Sequence, residues 1–231
     1  MVHRAMEAVL LLLGIAGLIF LLVAVSPRGS WEPMASAALM LERAAFAQTP
    51  EAALRYRVVA ERSEARYRVR EQLAGISFPS DAVGTTHAIE GSLSLDAQGR
   101  LRPSDSRLTV DLRTLRSDRD RRDNYVRRNT LETERHPTAV FIPSEVRGLP
   151  FPLPQTGTAS FELIGDLTIR ETTRRITWEA TATFNGQEIS VQAKTSFRFA
   201  DFALSIPRVA SVLSVEETIR LETDLLLRRG S

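Results

Sequence analysis

The sequence predicts an all-β domain: an antiparallel barrel of roughly eight strands, closed or nearly so, with one short helix and an apolar N-terminal segment that reads as a transmembrane helix. Three observations carry this. From Leu54 onward, apolar residues recur at every second position, the period of a half-buried strand. Between Ser117 and Phe141 a dense run of charges at helix-like spacing interrupts that pattern. Ahead of both, Ala8 to Val25 carries no charged or polar side chain.

That first segment is long enough, at roughly 27 Å of helical rise, to cross the hydrocarbon core of a bilayer. A cleaved signal peptide is the competing reading. The small-residue site at Ala24 to Ser26 is followed directly by Pro27, and the better one at Ala45 to Ala47 lies far from the apolar stretch. Residues 1–28 are therefore read as an uncleaved anchor. Without a cysteine in the chain a lipobox is excluded, as are disulfides and thiol chemistry. Arg4 ahead of the segment favours a cytoplasmic N-terminus, which would put the rest outside the cytoplasm. Residues 29–53 read as a juxtamembrane linker, either a plain spacer or an Ala-rich amphipathic stretch lying on the lipid surface.

The barrel domain is expected over 54–229. Leu54, Tyr56 and Val58 alternate with Arg55 and Arg57, and Ala65, Tyr67 and Val69 with Arg66, Arg68 and Arg70. Ile89, Gly91, Leu93 and Leu95 share one strand face, as do Leu108, Val110 and Leu112. In the charged run, Asp118 or Asp120 is expected to N-cap a short helix that ends before His136-Pro137, because a residue preceding proline is pushed out of the helical region. The clearest hairpin spans Ile176 to Phe199 about Asn185-Gly186, a tight-turn pair. A last strand is expected from Val215 to Leu227. Eight strands close a barrel just wide enough for one elongated ligand.

Composition excludes some functions. The 231 residues, 43% of them hydrophobic, suffice for one real core plus extras. All 30 basic residues but Lys194 are arginines, yet the net charge is only +2 and acids stand among them, so no nucleic-acid-binding face forms. The three histidines lack partners at metal-ligand spacing, and neither a nucleophile elbow nor a phosphate-cradling glycine loop occurs. Neither an enzyme nor a cofactor is expected.

The charged run also carries a resemblance. Arg122-Asp123, the Leu131-Glu132-Thr133 step and His136-Pro137-Thr138-Ala139-Val140-Phe141 are followed by Gly165-Asp166-Leu167-Thr168-Ile169, Thr173-Arg174-Arg175-Ile176 and Phe199-Ala200-Asp201-Phe202. In this order they resemble the YceI-like family, described as polyisoprenoid-binding, over roughly Leu54 to Leu227. Arg170-Glu171-Thr172-Thr173 departs from the family's usual Gly-Val-Thr, and Leu149 to Pro154 looks like an added Pro-rich loop. The resemblance implies an extended, lipocalin-like barrel outside the cytoplasm.

With that fold, the hairpin's apolar face becomes the candidate ligand wall. It interleaves Ala180, Ala182 and Ala193 with Trp178, Phe184, Val191, Phe197 and Phe199. Small residues there either are filled by their neighbours in a solid core or leave a channel. Phe141 is added as a lining residue, and Arg122 as a contact for a polar head. Arg121, Arg122, Arg127 and Arg128 either hold a diphosphate at the barrel mouth or are structural and surface groups, with Arg122 paired to Asp123. The expected function is a membrane-anchored carrier of a long apolar lipid, an isoprenoid or isoprenoid quinone. A barrel serving as an interaction or stress-response module is the alternative. The expected partners are that lipid and a membrane, with oligomeric state open.

Overall fold

The computed structural model describes residues 54–209 and 211–230; the apolar segment and linker lie outside these. Among the described residues no helix is long and apolar enough to cross a membrane. The strands are β1 (Leu54–Val58), β2 (Glu64–Leu73), β3 (Ser80–Thr86), β4 (Ile89–Leu95), β5 (Arg107–Asp111), β6 (Thr138–Arg147), β7 (Thr156–Ile169), β8 (Thr172–Asn185), β9 (Glu188–Arg198), β10 (Val212–Val215) and β11 (Thr218–Arg229). One short helix, α1 (Asp120–Tyr125), runs into a π-helical turn over Val126–Thr130.

These eleven strands make an eight-membered ring, because two long strands are each written in two pieces. β1 and β2 run successively along β11, with Val58 opposite Leu227 and Glu64 opposite Asp224. The 3₁₀ turn Ala60–Arg62 between them takes up the extra residues. Ser63 replaces the interrupted ladder: its hydroxyl donates to the Val59 carbonyl at 2.8 Å and accepts from the Leu226 amide at 3.0 Å. β3 and β4 pair in turn with β2 and β1. From there β4, β5, β6, β7, β8, β9 and β11 follow antiparallel, and β11 meets β1 to close the barrel. β10 is an addition on the end of β2. The closed ring and the core cluster are built from residues within 54–230, so this unit has what it needs to fold on its own.

Alternation decides which side of each strand is dry. On β8, Trp178, Ala180, Ala182 and Phe184 are buried while Glu179, Thr181 and Thr183 are exposed. The β8–β9 loop consists of Gly186 and Gln187, and the positive φ of +61° falls on Gly186, where glycine has no steric cost.

Three expectations need correction. The last strand does not run unbroken from Val215: Val212–Val215 pairs with β2, and Glu216-Glu217 separate it from β11, which starts at Thr218. Neither aspartate caps α1, whose N-cap is Arg119 without a side-chain bond, since Asp118 is taken by Arg122 and Asp120 already lies in the first turn. Arg122 and Asp123 are not partners. Asp123 is buried and accepts from the Ser117 amide and hydroxyl, at 3.0 and 2.6 Å, while Arg122 reaches across to Glu71 of β2.

Candidate ligand-binding cavity

Inside the ring the inward side chains do not meet. They leave a cavity of about 850 Å³ that runs from one end of the barrel to the other, toward the upper end of the size range of small-molecule sites. Its wall is almost wholly apolar, because β1 to β11 each turn their dry face to it.

Antiparallel order places the connections at two ends. The β2–β3 turn, α1 and the 199–217 segment share one end; the 96–106 and 148–155 loops share the other. At the second end the Pro-rich loop forms a floor, with half-buried Leu149 and Leu153 lining the cavity. Phe151 of the same loop lies over Gly99, so close that a Cβ there would sit 2.5 Å from its ring.

Nine of the ten predicted site residues line this cavity: Trp178, Ala182, Phe184, Val191, Ala193, Phe197, Phe199, Phe141 and Arg122. Trp178 meets Phe141 edge-on, with centroids 6.1 Å apart, and buries its indole nitrogen without a partner. Ala180 is the exception. It is buried on the right face, but its cross-strand neighbour Phe161 lines the cavity, and a methyl beside a phenyl ring falls behind it.

At the helix end the lining turns polar. β2 points Ala65, Tyr67, Val69, Glu71 and Leu73 inward, so a carboxylate stands on an otherwise apolar wall, 7% exposed. Arg122 comes down from α1 to meet it at 2.5 Å and also donates to Ser117 Oγ at 3.2 Å and to Asp118. Burial alone would push this guanidinium down; its bonds to Glu71 and Asp118 outweigh that and raise it. The bond from Arg122 in turn holds the Asp118 carboxyl below its usual range.

Tyr67 is fixed by its neighbour across the ladder. It pairs with Gly84 of β3, where a Cβ would stand 2.2 Å from the tyrosine ring, so only glycine admits the ring in this position. Burial pushes its phenol up to about 12, partly offset by Arg122, so it stays protonated at neutral pH. Arg121 and Arg128, exposed on the helical segment at the rim, make no ion pair among the described residues.

Tyr67, Glu71 and the leucine floor were not among the predicted site residues. A signal for Glu71 existed: it continues the face of Ala65, Tyr67 and Val69, so it marks a charge at an interior position. The floor left no such signal, since a Pro-rich loop reads as surface.

A closed antiparallel barrel, lidded by a short helix and hollow along an apolar axis, is the architecture of a small-molecule-binding barrel. The chain belongs to the YceI-like domain family, whose profile matches residues 56–227. A UPF0312 protein of Pseudomonas putida KT2440 is 27% identical over 137 residues, 55% of this chain; the match spans 66% of that relative's length. Among solved structures, a polyisoprenoid binding domain from Saccharophagus degradans implicated in plant cell wall breakdown has the same fold, with TM-score 0.61 and 14% identity. That alignment covers 76% of this chain and 98% of the other. Burkholderia cenocepacia BcnA matches with TM-score 0.55 and 15% identity, over 73% of this chain and 98% of that one.

Proposed function

We propose that this protein binds a long apolar lipid non-covalently along the barrel axis, an isoprenoid or isoprenoid quinone, as a carrier without catalytic chemistry. The observation that carries this reading is the continuous apolar cavity from the leucine floor to the helix. A chain lying in it gains on the order of 0.8 kcal/mol for each buried methylene, enough over a few isoprene units to outweigh the cost of ordering. Family membership and the solved polyisoprenoid binding domain support the same ligand class. The Ala8 to Val25 segment would hold the domain at a membrane, on its extracytoplasmic face, so that a sparingly soluble ligand travels only a short distance.

Native mass spectrometry with lipid extraction, on the full chain purified from its source membrane, tests this. A stoichiometric isoprenoid or quinone is the expected result. An empty barrel that also refuses added isoprenoids would sink the carrier reading. Ala182→Leu, which thrusts bulk into the cavity wall, should weaken binding at least about tenfold.

One observation favours the interaction module as a second reading. Phe78 and Leu213 are 79% and 68% exposed, on the β2–β3 turn and on β10, both at the helix end. Exposed aromatic and aliphatic groups there suit contact with another surface.

A further inference from the structure

The lipid-binding reading leaves open where a ligand's head would sit and of what chemistry it would be. Two seats exist at the helix end. The outer one is on the rim, where Arg121 and Arg128 are exposed and make no ion pair among the described residues. The inner one is beneath the helix, on the cavity wall, where Tyr67 and Glu71 stand on the same face of β2.

The inner seat is built. The Tyr67 ring is pinned by Gly84, and its hydroxyl has no hydrogen-bond partner among the described residues. Glu71 spends one carboxylate oxygen on Arg122, and the other has no hydrogen-bond partner among the described residues. Its charge is equally defined. Arg122 faces two carboxylates, Glu71 and Asp118, so this trio carries one net negative charge. Its charged neighbours on the helical segment are Arg119, paired with Asp118 at 3.6 Å, then Asp120 and Asp123, and Arg121 on the rim. A diphosphate pushed into the inner seat would meet carboxylates already holding the Arg122 guanidinium, 14% exposed, in surroundings where repulsion is poorly screened. A hydroxyl meets the opposite situation: on this wall it can donate to Glu71, which only accepts, or accept from Tyr67.

We infer that the inner step formed by Tyr67 and Glu71 seats the ligand's head, and that it selects an uncharged hydroxyl, as on a prenyl alcohol or phenol, over a diphosphate. This rests on the lipid-binding reading of the same cavity. Arg122 acts here as a positioning residue that holds Glu71, and the rim arginines stay outside the seat.

The test uses the Pro50–Ser231 unit, in which Trp178 on the cavity wall is the single tryptophan and reports ligand entry by its fluorescence. Geranylgeraniol and geranylgeranyl diphosphate share a tail and differ in the head. The alcohol should bind about tenfold tighter or more. Tyr67→Phe should weaken the alcohol several-fold and leave the diphosphate unchanged. Glu71→Gln keeps the side chain's size and an acceptor for Arg122, and should shrink the preference for the alcohol. Thermal melts of both variants check that the barrel is intact. A diphosphate that binds as tightly as the alcohol would overturn the inference, as would loss of affinity on Arg121→Ser with Arg128→Ser while Glu71→Gln is silent. If neither probe changes Trp178 fluorescence or co-elutes with the domain, the lipid-binding reading itself fails, which is a different result.

Discussion

The barrel is stopped at both ends, by opposite means. At the helix end the stopper is polar: Arg122 ties α1 to Glu71 on β2, and Asp123 ties it to Ser117. At the loop end it is apolar: Leu149 and Leu153 close the cavity, and Phe151 lies against Gly99. An apolar plug can be thinned a methylene at a time. A buried ion pair fails as a unit, because losing one member strands the other's charge. The helix end is therefore the end that holds or fails as a whole, while the floor yields by degrees.

The largest effect is expected for Glu71→Ala. It leaves the Arg122 guanidinium, 14% exposed, without its buried partner and should cost about 3–5 kcal/mol in urea unfolding. Replacing both members with methionine should be near neutral, which separates the pair's net worth from the penalty of breaking it. Second comes alkaline pH. The Tyr67 phenol titrates at 10.0 when unperturbed and at about 12 in the fold. A raised value means the stability is fully present below pH 10 and is lost as pH rises through about 12. The loss is on the order of 3 kcal/mol, and Tyr67→Phe should remove that part of the alkaline limb.

At the floor, Leu153→Ala deletes a half-buried side chain and should cost about 1–2 kcal/mol, with no dependence on pH. The smallest effect belongs to Asp118. Its depressed carboxyl supplies stability above its ordinary value of 3.8 and loses it as pH falls below that. Hydrogen exchange between pH 5 and 2 should show the amides of Ser117 to Arg122 opening earlier than those of Leu149 to Leu153. Equal opening at both ends would remove the contrast.

Much of this was legible beforehand, and the limits were physical. Strands whose inward faces carry large residues announced themselves, above all β8 with Trp178 and Phe184. β3 did not, because its inward residues are Ala82, Gly84 and Thr86. Gly84 makes room for Tyr67 on the neighbouring strand, so one reason for the missing signal lay 17 positions away, at a residue that only the pairing brings near. Val215, the end of β10, read as the start of the strand that is β11, since alternation says nothing about a change of partner. The cavity wall was found from alternation plus the resemblance, whereas the Arg122–Glu71 tie joins residues 51 apart and could only be seen folded. The segment before Leu54 stays an expectation, outside the described residues.

The ring's closing seam has a consequence for how the molecule is made. β11 joins β1 through Tyr56 to Val58 and β2 through Glu64 to Arg68, so the first strands of the domain wait for its last. Contacts of such separation form late and make folding slow. Until they form, a growing chain is a ribbon with an unpaired margin on each side, the kind of edge that recruits other chains. Loss of a dozen residues from the C-terminus would therefore do more than weaken the barrel. It would leave those margins permanently open, and the expected fate of such a chain is aggregation rather than a looser monomer.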